Sequence, residues 1–254
     1  MSPESKGKEM GKFLVSLDDS AVFSLFCTKV YGRDLTQMNR MDEPQFDRLL
    51  VQLRLTENDH VLDLGCGLGK ITENISDITQ SNITGVDFAT DAIIRAQNRT
   101  KRKINRLNFT EADINDLSFP LESFSCVIAI DSLYGDFIDD LHTVFCKLVK
   151  FLKPDGQMGI FHTEYSLERD DLHPQMTAVA LALKNQGLKF KTWDYTENEL
   201  LLLEKKISVA KELEPKFKSN QYNLYERIIK HSEKLLLRII KGESRRYFYH
   251  IKLH

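Results

Sequence analysis

From His60 to Tyr165 the chain alternates short apolar runs with helix-patterned stretches, a rhythm that few architectures accept. HVLDLG, NITGVDF, LNFTEAD, SCVIAIDSL and QMGIFHTEY are rich in branched and aromatic residues, and each has the length of a buried strand. Between them, TDAIIRAQNRTKRK reads as a helix capped by Thr90. Leu141, Val144, Phe145, Leu148, Val149 and Leu152 form a helical stripe that stops at a KPDG turn. Strands separated by helices need crossover connections, which predicts a parallel sheet with helices on both faces. Right-handed crossovers bring the carboxyl ends of the strands to one edge, where ligands bind.

The flanks extend this pattern. Val22, Phe23, Phe26 and Val30 mark a helix in LDDSAVFSLFCTKVYG, after an Asp or Ser cap. Asp42 and Pro44 open a second helix, with Phe46, Leu49, Leu50 and Leu53 on its apolar face. The first residues, MSPESKGKEMGK, read as polar and charged, with no apolar core of signal-peptide length. Past the alternating region, MTAVALALKNQG reads as a helix and KFKTWDYT as a strand. A long charged helical region covers about Glu197 to Glu243, and RRYFYHIKL closes the chain as a strand. The expected division is a helical cap over residues 1–40, a core over 41–196, a helical lid over 197–244 and a final core strand over 245–254.

Composition narrows the function classes. With 35 basic and 37 acidic residues the net charge is −2, so no general basic field invites a nucleic-acid backbone. Cys27, Cys66, Cys126 and Cys146 are scattered without metal-ligand spacing, so neither a metal site nor a disulfide framework is expected. No apolar run reaches the roughly 18 residues of a membrane span. The expected protein is cytoplasmic, a monomer or a homodimer, and bound to no membrane.

The chemistry concentrates in VLDLGCGLGK, where Gly65, Gly67 and Gly69 stand at a strand–helix junction. Glycines there let the backbone turn tightly and let a ligand approach, while the following helix offers free N–H groups. The dinucleotide fingerprint G-x-G-x-x-G would put a glycine where Lys70 stands. Asp63, two residues before Gly65, would repel a pyrophosphate and suits a ligand carrying an ammonium group. Asp87 ends the second strand, where a carboxylate can accept from both hydroxyls of a ribose.

Taken together, VLDLGCGLG, GVDF, EADINDLSF, FSCVIAIDSLYG and LKPDGQMGIF resemble the successive motifs of class I S-adenosylmethionine-dependent methyltransferases of the small-molecule type. The resemblance covers roughly residues 40–165 by motif and the rest by element order. It implies an α/β fold, a doubly wound, mostly parallel seven-stranded Rossmann-like sheet, with an antiparallel last strand and the lid inserted before it. It also implies S-adenosyl-L-methionine as cofactor. Asp63 and the backbone of Gly65 would face the methionine end, and Cys66, Gly67 and Gly69 would complete the cofactor-binding turn. Asp87 would take the ribose, Asp113 and Ile114 the adenine, and Phe88 would add to the adenosine wall. Tyr31, in the N-terminal cap, would contact the sulfonium. Asp131 would lie near the cofactor's amino group and the methyl acceptor.

A sulfonium methyl is already electrophilic, so such an enzyme aligns the acceptor, excludes water and removes a proton only where one must leave. His162 and Glu164 share one face of the fifth strand. His162, which closes the fifth strand beside Asp131, is with Asp131 a catalytic candidate, as the acceptor-side base or as a group that orients the acceptor, and Ser132 and Tyr134 are further pocket candidates. The expected activity is methyl transfer to a small molecule. A protein or nucleic-acid methyltransferase, or a non-catalytic cofactor-binding subunit, are the alternatives. DSLY stands where base-amino methyltransferases carry Asn/Asp-Pro-Pro-aromatic.

Overall fold

The computed structural model describes residues 3–135 and 137–253 of the chain. Its strands are β1 (His60–Leu64), β2 (Asn82–Asp87), β3 (Leu107–Glu111), β4 (Phe124–Ile130), β5 (Leu152–Tyr165), β6 (Phe190–Asp194) and β7 (Ser244–Lys252). They form one seven-stranded sheet in the order β3-β2-β1-β4-β5-β7-β6. β1 to β5 run parallel. β7 is inserted between β5 and β6 and runs antiparallel to both.

Helices cover both faces, which is why the central strands are apolar throughout rather than alternating. On one face α3 (Glu43–Leu53), α4 (Lys70–Thr79) and α5 (Thr90–Thr100) bury Phe46, Leu49, Ile75 and Ile93 against Val61, Ile83 and Ile128. On the other, α6 (Leu141–Phe151) and α7 (Ala178–Asn185) bury Val144, Leu148, Val179 and Leu183 against Leu62, Leu64 and Val127. Val61 and Leu62 thus serve opposite cores, as the two-residue period of a strand requires.

Local chemistry starts the helices. Ser20 Oγ accepts from the Phe23 N–H at 3.0 Å to open α2 (Ala21–Tyr31), and Asp42 Oδ1 accepts from the Gln45 N–H at 3.0 Å to open α3. Two expectations are corrected. Thr90 is the first residue of α5 rather than its cap; Ala89 holds the cap position, and its N–H donates to Asp87 Oδ1 at 2.9 Å. The KPDG turn lies inside β5: Leu152 pairs with Phe124 and Gln157 with Cys126, so residues 153–156 loop out of the ladder, with Asp155 at φ 61°.

The charged N-terminal stretch is also helical. α1 (Pro3–Asp18) lies across the start of α5, with Gly7 and Gly11 on the contact face. A Cβ on Gly7 would stand 2.6 Å from the Phe88 carbonyl oxygen, and one on Gly11 would stand 3.1 Å from the Asp91 nitrogen. Only glycine permits so close an approach.

The charged helical region is three helices, α8 (Thr196–Glu212), α9 (Glu214–Asn220) and α10 (Tyr222–Lys241). Leu202, Val209, Leu213 and Phe217 pack on Phe23 and Phe26 of α2. Among the leucines and isoleucines of α8 and α10, Leu203, Leu235 and Ile239 are buried together, whereas Leu201, Leu237 and Ile240 face outward. Among the described residues no helix is long and apolar enough to cross a membrane.

The glycine contact of α1 makes a local prediction. Gly7→Val would drive a side chain into the Phe88 carbonyl and lift α1 without touching the sheet. Amide exchange across residues 3–18 is expected to accelerate at least tenfold while β1 and β4 keep their protection; unchanged exchange in α1 would show that the close approach is not what holds it.

Candidate active site

The chain runs outward from β1 to β3 and then returns to lay β4 on the other side of β1. That reversal opens a crevice at the carboxyl edge of the sheet. A cavity of about 740 Å³ sits there. Its floor is the loops after β1, β2, β3 and β4. Its roof comes from Met10 and Leu14 of α1, residues 35–40, and α10.

The turn after β1 is held by backbone bonds. The Gly65 and Cys66 N–H groups both donate to the Val86 carbonyl, at 2.8 and 3.0 Å. Gly65 is left-handed at φ 70°, and a Cβ there would fall 2.5 Å from the Ser132 Cβ. Gly67, at φ 53°, opens onto the cavity, and the nearest atom to a Cβ there would be Leu14 Cδ1 at 3.9 Å. Gly69 caps α4 with no side-chain acceptor, so the helix start faces the cavity bare. Cys66 also lines the wall, but burial pushes its thiol well up and its Sγ packs at Gly85. It stays protonated and is a spacer, not a nucleophile.

Three strand-end carboxylates line the same cavity. Asp63 Oδ2 accepts from Thr72 Oγ1 at 2.6 Å. Burial raises its carboxyl to about 7; the Thr72 bond opposes this and the charge of Asp87 adds to it. Asp87 accepts from the Gly67 N–H at 2.8 Å and the Ala89 N–H at 2.9 Å, which fixes its orientation; burial also raises it. Asp113 accepts from the Asn115 N–H at 2.8 Å, and Ile114 lies beside it on the wall. Phe88 completes this end, its ring 5.6 Å from that of Phe137.

The opposite end is built on Asp131, just past β4. Its φ of 54° is left-handed, a conformation that in a non-glycine residue persists only when its surroundings hold it. Arg246 supplies two bonds, Nη1 to Oδ1 at 2.6 Å and Nη2 to Oδ2 at 3.1 Å. The Arg40 N–H donates to Oδ2 at 2.9 Å, and the Tyr134 hydroxyl donates to Oδ1 at 2.8 Å. Burial alone would raise the Asp131 carboxyl, but Arg246 and Arg40 hold it well below the usual carboxylate range. The Arg40 guanidinium also pairs with Glu199 at 2.9 Å and donates to the hydroxyls of Tyr134 and Tyr165.

Two candidates from the sequence stand away from this wall. His162 is 5% exposed, and its ring packs 4.8 Å from that of Tyr134, which is the side chain that reaches the cavity. Burial pushes its imidazole down to about 3, and among the described residues its Nδ1 has no hydrogen-bond partner. Its strand neighbour Glu164 accepts from the Ala178 N–H at 2.7 Å, a capping role. Tyr31 is buried, donates to the Asn39 carbonyl at 2.9 Å and does not line the main cavity, whose lining includes Met10, Leu14 and Met38.

Arg40, Arg246, Met10 and Leu14 were not singled out in the sequence. The Met10–Leu14–Leu17 spacing was the one signal for α1, masked by lysines. Nothing local marks Arg246, whose role depends on β7 being antiparallel: its first residues thereby reach the carboxyl edge of the sheet.

A cofactor with a cationic amino-acid end, a ribose and a purine fits the donors present. Asp63, Asp87 and Asp113 line the cavity with carboxyl oxygens, and the Ser132 hydroxyl is buried on its wall without a partner among the described residues. Comparison with known proteins agrees. Residues 61–156 match the methyltransferase-domain family. The chain is 25% identical over 138 residues to methyltransferase phqN of Penicillium fellutanum, covering 54% of this chain and 42% of that one. It is 28% identical over 135 residues to sterol 24-C-methyltransferase erg6 of Aspergillus fumigatus, covering 52% and 35%. These matches span less than half the length of either curated relative. In fold it is similar to Haemonchus contortus phosphoethanolamine N-methyltransferase 2 in complex with S-adenosyl-L-methionine, with a TM-score of 0.76, 17% identity, and coverage of 96% of this chain and 60% of that one. Residues 61–156 thus match the methyltransferase-domain family, and the strand order and glycine turn are those of the Rossmann-like fold shared with this methyltransferase structure.

Proposed function

We propose that the protein binds S-adenosylmethionine in this cavity and methylates a small-molecule acceptor. The observation that carries the reading is the convergence of the glycine turn with Asp63, Asp87, Asp113 and Asp131 on one cavity at the switch point of the sheet. Asp63 and the Gly65 backbone take the ammonium end, Asp87 accepts from the ribose hydroxyls, and Asp113, Ile114 and Phe88 hold the purine. When bound, the cofactor supplies a methyl group made electrophilic by its sulfonium.

The acceptor's size follows from the roof. α1, residues 35–40 and α10 close over a volume within the roughly 300–1,000 Å³ of small-molecule sites, which favours a metabolite over a folded macromolecule. Met10, Leu14 and Met38 on that roof exclude water from the transfer. At the acceptor end, Asp131 is locked as an anion by two arginines, and burial, with the Asp131 charge adding to it, pushes the Tyr134 phenol well up so that it keeps its proton. Neither group trades protons readily near neutrality, so both orient the acceptor rather than deprotonate it. His162 supports the Tyr134 ring from behind. Such a wall suits a nucleophile that needs no base, such as a neutral amine or an acid already ionised.

Calorimetry with S-adenosylmethionine and S-adenosylhomocysteine on folded protein is the direct test, and absence of heat from both would overturn the reading. Asp87→Asn removes a charged acceptor worth about 1.5–3 kcal/mol. A loss of affinity of at least tenfold for S-adenosylhomocysteine is expected, and full retention would remove Asp87 from the ribose.

A pH dependence follows from Asp63. In the ligand-free cavity it keeps its proton up to about pH 7. A bound ammonium group favours the ionised carboxylate, so affinity should weaken as pH falls below that value, by at most about tenfold per unit, and level off above it. Binding at pH 6 should release close to one proton, visible as buffer-dependent heat, and Asp63→Asn should abolish both effects. A flat profile in the unmodified protein would separate Asp63 from the ammonium.

A further inference from the structure

The cavity is electrically divided. Its four described carboxylates, Asp63, Asp87, Asp113 and Asp131, all stand at strand ends, and Asp131 is already matched by Arg246 and Arg40. The roof over the acceptor end carries the opposite charge. His231, Lys234, Leu235 and Arg238 of α10 line the cavity, and their spacing of i, i+3, i+4 and i+7 puts them on one helix face.

Lys234 and Arg238 have no ion-pair partner among the described residues, although Lys230, one turn earlier on the same helix, pairs with Glu226 at 3.3 Å. Leu235 between them is buried and fixes the rotation of the helix. The Arg238 guanidinium lies 5.0 Å over the ring of Tyr165, itself on the cavity wall, so its direction is set. The surrounding field is positive. The His231 imidazole is held below its ordinary range, first by desolvation and then by the charges of Lys206, Arg40, Arg227 and Lys234.

We propose that the acceptor is a phosphate monoester, with its dianionic head held by Lys234 and Arg238 and its methyl-accepting end directed down toward Asp131 and Tyr134. Two unmatched cations balance a group carrying about −1.5 to −2 charges near neutral pH, whereas a carboxylate would leave one uncompensated. A planar guanidinium beside a compact ammonium is also a common pairing for phosphate oxygens. The inference rests on the methyl-transfer reading of the same cavity and names its substrate class.

The test uses inorganic phosphate as probe, followed by the width of its phosphorus resonance against full-length protein at constant ionic strength. Saturable broadening is expected, weakened at least fivefold by Lys234→Gln with Arg238→Gln and unaffected by Lys230→Gln, which changes an exposed lysine on the same helix. Acetate should compete poorly. Displacement by glycerol 3-phosphate identifies a soluble monoester, and displacement by phosphatidic acid vesicles in phosphatidylcholine identifies a lipid headgroup. Displacement by neither, persistence of broadening in the double variant, or equal competition by acetate would overturn the proposal. S-adenosylhomocysteine calorimetry on the same samples keeps the two readings apart. Cofactor heat without phosphate binding sinks only the anion site; phosphate binding without cofactor heat sinks the methyl-transfer reading and the acceptor role with it, and leaves an anion site alone.

Discussion

A carboxylate held between two arginines organises this molecule. Asp131, Arg246, Arg40 and Glu199 bring two negative and two positive charges into a buried cluster, with Arg246 fully enclosed. Burying a charge is costly unless it is paired and hydrogen-bonded, so the members of such a cluster demand one another. Asp131 comes from the end of β4, Arg246 from the start of β7, Arg40 from the segment after α2 and Glu199 from α8. Pairing them ties the sheet, the N-terminal cap and the helical insertion together at one point, which is also one end of the cavity. Gln45 joins through its Oε1, accepting from Arg246 Nε at 2.7 Å, and Thr163 Oγ1 accepts from Nη1 at 3.1 Å. A site assembled in this way is rigid where alignment matters.

The antiparallel seventh strand has a chemical consequence. In a wholly parallel sheet only the residues that follow each strand reach the ligand edge. Reversing β7 sends its first residues there, so Arg246 arrives on a strand rather than on a loop. Strand-borne groups are more exactly held than loop-borne ones. The same reversal places the three-helix insertion directly before the ligand edge, so α10 comes down over the cavity with its cationic face inward.

The parts of the site that were legible in the sequence share one property: their roles follow from where they stand on a single element. The glycines at the end of β1, Asp87 after β2 and Asp113 after β3 are set by local turns and by the position of a strand end, and both can be read from a run of ten residues. Arg40 and Arg246 reach a common carboxylate from 91 and 115 residues away in the sequence, and no local pattern announces that. Within the expected helical cap, α1 carries no clear pattern of its own for a different reason. Its apolar positions Met10, Leu14 and Leu17 are spaced as a helix requires, but Lys6, Lys8, Lys12, Gly7 and Gly11 in the same helix lower the average hydrophobicity, and the glycines are there to allow contact rather than to break the helix. The leucine-rich insertion is the opposite case. Adjacent residues such as Leu201, Leu202 and Leu203 cannot all face one side of a helix, and Leu201 is accordingly outside.

His162 shows how a suggestive pair can be structural. Two apart on β5, His162 and Glu164 do share a face, with Nε2 and Oε2 4.0 Å apart. That face is turned toward α7 and the ring of Tyr134 rather than the open cavity, and burial makes the imidazole a poor proton acceptor at neutral pH. The residues of the opposite face, Thr163 and Tyr165, meet Arg246 and Arg40. Strand alternation therefore sorts β5 into one side that supports the wall and another that joins the charged cluster. In the proposed reaction the protein's part is geometric and electrostatic: it presents fixed charges to a nucleophile that is already competent, and no proton needs to pass through the histidine.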